Sequence, residues 1–106
     1  MNTYLFATSF GPEGVAGHLK EGGVARRKYI DEVLQSLGGK LVGFYYAYGD
    51  VDLYVLAELP GNTAATAFSM HVRESGAVTP KTIVLLRPEE FDEARSLKVD
   101  FRPPGH

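Results

Sequence analysis

Two runs of aromatic and β-branched residues, Lys40 to Tyr48 and Val51 to Glu58, flank the pair Gly49-Asp50. Such residues favour strands, and a Gly-Asp pair tolerates the positive φ of a tight turn, so the segment predicts a β-hairpin. A two-residue turn there pairs Tyr48 with Val51, Tyr46 with Leu53 and Tyr45 with Tyr54, because the turn fixes the register and the register fixes the face of every side chain. One face then carries Val42, Phe44, Tyr46, Tyr48, Val51, Leu53, Val55 and Ala57. The other carries Leu41, Gly43, Tyr45, Ala47, Asp52, Tyr54, Leu56 and Glu58. Neither face is made for water, so each needs a cover.

The rest of the chain supplies the other elements of a small α+β domain. Tyr4 to Phe10 predicts a strand that stops at Gly11-Pro12, where proline near a first turn starts a helix. From Pro12 to Leu37 the apolar residues Val15, Leu19, Tyr29 or Ile30, Val33 and Leu37 recur at three- and four-residue steps, with Gly38-Gly39 as the stop. Gly22-Gly23 falls inside this helix, and two glycines cost roughly 2 kcal/mol there relative to alanine, which predicts a kink or two helical segments. Asn62 is a candidate N-cap for a second helix over Thr63 to Ser75, Ala77 to Arg87 reads as a strand, and Pro88 starts an acidic helix ending near Leu97. A tail over 98–106 follows the single domain 1–97.

The order strand, helix, strand, strand, helix, strand is a split βαβ arrangement. It predicts a four-stranded antiparallel sheet with both long helices on one face, the ferredoxin-like plan, followed by a short C-terminal helix. Ile83-Val84-Leu85-Leu86 is apolar without interruption and both hairpin faces are mostly apolar, so the sheet face away from the helices also needs covering. The same face of a second subunit is the simplest cover, giving a homodimer or an assembly of dimers. The alternative is a monomer whose C-terminal segment folds over the sheet.

Composition narrows the chemistry. At 106 residues and 44% hydrophobic, the chain has enough material for one core without a metal or disulfide staple. Cysteine is absent, which excludes thiolate nucleophiles and thiolate-ligated clusters and fits a reducing cytoplasm. No apolar run approaches the ~20 residues of a membrane span, and the start lacks a basic, then apolar, leader. Net charge is −2 and the eleven basic residues are scattered, Arg26-Arg27-Lys28 being the one cluster, so no footprint for nucleic acid is present. Histidines and carboxylates lack the converging spacing of a metal site, and the glycine-rich stretches lack phosphate-loop spacing. Neither a metal nor a cofactor is expected.

Several of these segments together resemble one family. Thr3-Tyr4-Leu5-Phe6, Glu21-Gly22-Gly23 with Arg26-Arg27, Ser36-Leu37-Gly38-Gly39-Lys40-Leu41, Phe44-Tyr45 with Gly49-Asp50-Val51-Asp52, and Ser75-Gly76-Ala77-Val78-Thr79 look like the GYD domain family over about residues 3 to 93. Val51 stands where the tyrosine of the family's Gly, Tyr, Asp signature would be. The resemblance implies a dimeric α+β barrel of ferredoxin-like type and no settled activity. Similar barrels include cofactor-free oxygenases, lactone isomerases, haem-degrading enzymes and ligand-sensing domains, so analogy of fold does not choose among them.

Five residues are candidates for a ligand site. On an unbroken helix Arg26 lies seven residues after Leu19 and seven before Val33, in the apolar stripe facing the sheet. Asp52, Tyr45 and Tyr54 share a hairpin face on which Gly43 and Ala47 leave room for a cavity. An Arg26–Asp52 pair beside two phenols would orient a small anionic or phenolic molecule. His71 follows Phe68 and Ala64 on the apolar side of the second helix, where it is either a general base or ligand, or a hydrogen-bonded core residue. The alternatives for Arg26 are a structural ion pair, or displacement to solvent by the Gly22-Gly23 break. Three functions remain open: a homo-oligomeric small-molecule-binding or regulatory module, a cofactor-independent isomerase or monooxygenase, and a structural protein without a ligand.

Overall fold

A computed structural model describes residues 1–106. Its elements run β1 (Asn2–Phe10), α1 (Pro12–Glu21), α2 (Gly23–Ser36), β2 (Lys40–Tyr46), β3 (Leu53–Leu59), α3 (Asn62–Glu74), β4 (Val78–Leu85) and α4 (Pro88–Ser96). The strands form one antiparallel sheet in the order β2-β3-β1-β4, which is the ferredoxin-like arrangement expected from the element order. Gly22, with φ 87° and ψ 154°, divides the first helical stretch in two as its glycine pair predicts, since that backbone conformation is open to glycine and strained for other residues.

Strand alternation sends Tyr4 and Phe6 from β1, and Leu53, Val55, Ala57 and Leu59 from β3, into a core with Ile30 and Leu34 of α2 and Ala65 and Phe68 of α3. Phe6 and Phe68 meet edge to face, with ring centroids 4.9 Å apart. Tyr4 is fully buried, and its hydroxyl donates to Asn62 Oδ1 at 2.6 Å, so the one polar atom it carries inside is satisfied. Asn62 therefore anchors α3 through its side chain, while Gly61 takes the N-cap position expected for Asn62.

The hairpin keeps the predicted pairs Tyr46 with Leu53 and Tyr45 with Tyr54, but two details differ. The connection spans residues 47–52 rather than two, with Tyr48 fully exposed and Val51 buried, so these two do not pair. A bulge between Leu41 and Gly43 inserts Val42 as an extra residue, which sets Leu41 opposite Ala57 and packs it against the core. Leu41 thus belongs to the helix side, contrary to strict alternation from the turn, and Val42 is exposed.

β4 is an edge strand with Pro80 in its middle, a place where the missing amide is tolerated. The Pro80 carbonyl accepts from Arg73 Nη2 at 2.9 Å. The sheet face away from the helices carries Leu5, Tyr54, Leu56, Tyr45 and Ile83, with no element of the chain laid across it.

Beyond β4 the chain leaves the body. The Glu90 carboxylate accepts the Arg87 amide at 3.1 Å and closes the first turn of α4, yet no residue of α4 is buried. Phe91 is 61% exposed and Phe101 74%, and the molecule measures 56 × 33 × 23 Å. Its radius of gyration of 16.8 Å exceeds the ~13 Å of a compact chain this long because this arm projects. The C-terminal segment consequently does not fold over the open sheet face. No helix is long and apolar enough to cross a membrane.

Candidate functional site

A cavity of about 540 Å³ opens between α1, α2, α3 and the start of β4. Its apolar wall includes Ile30, Val33, Phe68, Val72 and Val78, its ionisable groups are Glu13, His18, Glu21, Arg26 and His71, and Ser36 and Ser75 add hydroxyls. A smaller void of about 30 Å³ also touches His18 and Arg26, along with Thr8 and Leu53 of the sheet.

Glycines bring α1 close enough to form one wall. A Cβ on Gly14 would overlap the Ala77 carbonyl and come within 2.9 Å of Val78 Cγ1, so the helix can lie against the start of β4 only with glycine there. The Ala77 carbonyl also accepts the Gly11 amide at 3.0 Å and fixes the entry to the helix. One turn on from Gly14, His18 stacks on Phe10 with centroids 4.2 Å apart and planes 12° from parallel. Its Nδ1 lies 2.7 Å from the Tyr46 hydroxyl, which ties α1 to the end of β2.

Charges gather around this pair. Arg26 Nη1 is 3.5 Å from Glu21 Oε1, and the guanidinium sits 5.1 Å over the ring of Tyr29. Burial lowers the His18 pKa below its ordinary value, the Arg26 cation lowers it further, and Glu21 opposes both. The Tyr46 hydroxyl is pushed upward, first by burial, with Arg26 pulling it down and Glu21 pushing it up. At neutral pH the pair is therefore a neutral imidazole against a protonated phenol.

Of the five candidates from sequence, Arg26 and His71 line the cavity and the other three lie elsewhere. Asp52 does not meet Arg26. Its Oδ2 accepts the Phe10 amide at 2.8 Å, and Arg26 pairs with Glu21 instead. Tyr45 and Tyr54 face each other on the open side of the sheet, with the helices on the other side. The expected pocket between this hairpin face and the helices is thus replaced by one on the opposite side of the sheet. His71 sits exposed on the cavity rim rather than in the core.

Sequence periodicity does not single out His18 and Tyr46, because a helix counted through Gly22-Gly23 puts Leu19, not His18, in the apolar stripe. Leu19 is in fact 81% exposed, because α1 turns its Gly14 face to the protein, and the break at Gly22 lets α2 follow a different phase. The usable signal is Gly14, whose missing side chain lets α1 press on the start of β4 one turn before His18. Histidines, aspartates and glutamates nowhere gather in groups of three or more that could hold a metal ion.

Comparison with known proteins gives a family and nothing further. No curated protein and no solved structure matches the chain. The model of the GYD domain matches residues 4–94, nearly the whole chain and every element of the sheet, and the chain belongs to the GYD domain family.

Proposed function

We propose that this protein is a homo-oligomeric module that binds a small organic molecule in the cavity between α1, α2 and α3. The observation that carries this reading is the composition of the cavity walls. Ile30, Val33, Phe68, Val72 and Val78 offer apolar area, while His18, Arg26 and His71 supply a few convergent polar groups, the usual make-up of a small-molecule site. Glu13 and Glu21 also line the cavity, but Glu21 meets only one nitrogen of Arg26, and the remaining guanidinium N–H groups favour a small carboxylate or phenolate at that point.

The oligomer rests on the open sheet face and on the arm. Leu5, Tyr45, Tyr54, Leu56 and Ile83 form an apolar surface that nothing in the chain covers, and Leu86, Phe91, Leu97 and Phe101 are exposed on a segment that leaves its own body. A second copy covers the first surface through a twofold axis and gives the arm something to pack against.

Ligand-observed NMR with a panel of small carboxylates and phenols tests the binding site. Binding should disappear in Val72→Trp, which fills the cavity, and weaken in Arg26→Gln. Binding that survives Val72→Trp unchanged, or no binding across the panel, refutes the reading.

A further inference from the structure

We propose that His18, Tyr46 and Arg26 form a proton-transfer site that enolises small 2-oxo acids, with His18 Nε2 as the base, Tyr46 as its positioning residue and Arg26 as the group that holds the two oxygens. The inference rests on the cavity being a ligand site and adds the chemistry done there.

The geometry supplies each part. Stacking on Phe10 at 4.2 Å and the 2.7 Å contact of Nδ1 with the Tyr46 hydroxyl fix the plane of the imidazole and leave Nε2 as its nitrogen without a protein partner. Both His18 and Arg26 line the cavity. The guanidinium is engaged only by Glu21, through one nitrogen at 3.5 Å, and rests on Tyr29, so most of its N–H groups have no protein acceptor. A planar fork of donors matches the coplanar carboxylate and keto oxygens of a 2-oxo acid better than it matches a lone hydroxyl. Ile30, Phe68 and Val72 leave an apolar wall for the substituent on C3.

The step balances without a co-reactant. The C3–H bond breaks, and its electron pair becomes the C2–C3 double bond. The carbonyl π pair moves to the keto oxygen, where Arg26 meets the developing charge, and the proton passes to Nε2. The new imidazolium donates its Nδ1–H to the Tyr46 hydroxyl. Return of the proton to C3 regenerates the acid, so the net change in heavy water is exchange of hydrogen for deuterium. The neutral resting state of His18, set by burial and the Arg26 cation against Glu21, leaves the base free at neutral pH.

The test follows the C3 protons of 4-methyl-2-oxopentanoate by proton NMR in D2O, with saturation-transfer measurements reporting binding in the same samples. The wild-type protein should accelerate exchange above buffer, with a rate that rises with pH through an apparent pKa below the ~6.5 of free histidine. Burial, then Arg26 and Glu21, set this value; Tyr46 is hydrogen-bonded to His18, and Glu13 and His71 are the other titratable groups of the cavity lining. His18→Gln should slow exchange by about 100-fold or more while still binding the acid. Tyr46→Phe should shift the pH profile with binding retained. Binding of the acid without accelerated exchange overturns the proton-transfer site and leaves the cavity reading intact. Failure to bind this acid, with other carboxylates of the panel still binding, has the same result; failure of all of them removes both. Should His18→Gln not fold, a pH-independent wild-type rate still overturns the assignment.

Discussion

Asp52 and Phe10 are joined across the end of the sheet: Asp52 Oδ2 accepts the Phe10 amide at 2.8 Å, and the Asp52 amide donates to the Thr8 carbonyl at 2.9 Å. One residue of the hairpin connection thus holds the last turn of β1 in place, directly before Pro12 starts α1 and beside the ring that stacks on His18. Replacing Asp52 by alanine should cost about 2 kcal/mol, the worth of a charge-assisted bond to a backbone amide. Asp50→Ala, at an exposed turn position without a hydrogen-bond partner, should cost less than ~0.5 kcal/mol. Urea unfolding of the two variants decides, and equal losses would remove the special role of Asp52.

Two glycines of α1 should respond in opposite directions. Gly14→Ala places a methyl group against the Ala77 carbonyl and Val78 and should destabilise by about 1–3 kcal/mol, whereas a Cβ on Gly17 meets nothing within 4 Å. Gly17→Ala should stabilise by about 0.5–1 kcal/mol through its higher helix propensity. Thermal melts of both variants check this, and a stable Gly14→Ala would show that α1 does not press on β4.

Protonation of His18 should weaken the fold. Its folded pKa lies below the unfolded value, so between the two the unfolded chain binds more protons and stability falls as pH drops. The contribution is complete above the ordinary histidine pKa and is lost through the window beneath it. Melting temperature measured from pH 7.5 to 5 should decline more steeply in wild type than in His18→Gln. Parallel curves would contradict this.

The oligomer can be read by light scattering. A dimer of this 11.6 kDa chain is expected at micromolar concentration. Tyr54→Glu should lower the mass to that of one chain, because it sets a charge opposite Tyr45 in the middle of the open face. A wild-type mass of one chain defeats the proposed assembly, and a Tyr54→Glu dimer moves its interface elsewhere.

Where local chemistry decides, sequence and structure coincide. The aromatic and aliphatic runs of β2 and β3, the break at Gly22, the proline starts of α1 and α4 and the order of elements are all set by residues acting over a few positions. The bulge at Val42 escaped because it has no compositional signature and depends on how β2 settles against β3. That single inserted residue moved Leu41 into the core. The site was less legible for a related reason. Carrying the helical phase of Leu19 through Gly22-Gly23 aimed Arg26 at Asp52, and only the geometry across β1, α1 and β2 brings Phe10, His18 and Tyr46 together. Arg26 and His71 were found because polar residues within apolar helical spacing stand out. Tyr45 and Tyr54 lie on the open face rather than the expected one because both hairpin faces are apolar, and composition does not tell which one meets the helices.

Pro80 bears on a different risk, runaway growth of the sheet. In an antiparallel strand the nitrogen and carbonyl of one residue point to the same side, and the Pro80 carbonyl turns away from β1 to receive Arg73. A newcomer strand arriving alongside β4 would find neither a donor nor a free acceptor at that position. On the far side, the Val42 bulge disrupts the ladder along β2. Fibre-like addition, chain after chain along the hydrogen-bond direction, is obstructed at both borders, so molecules that meet through their faces can close on each other at a finite size.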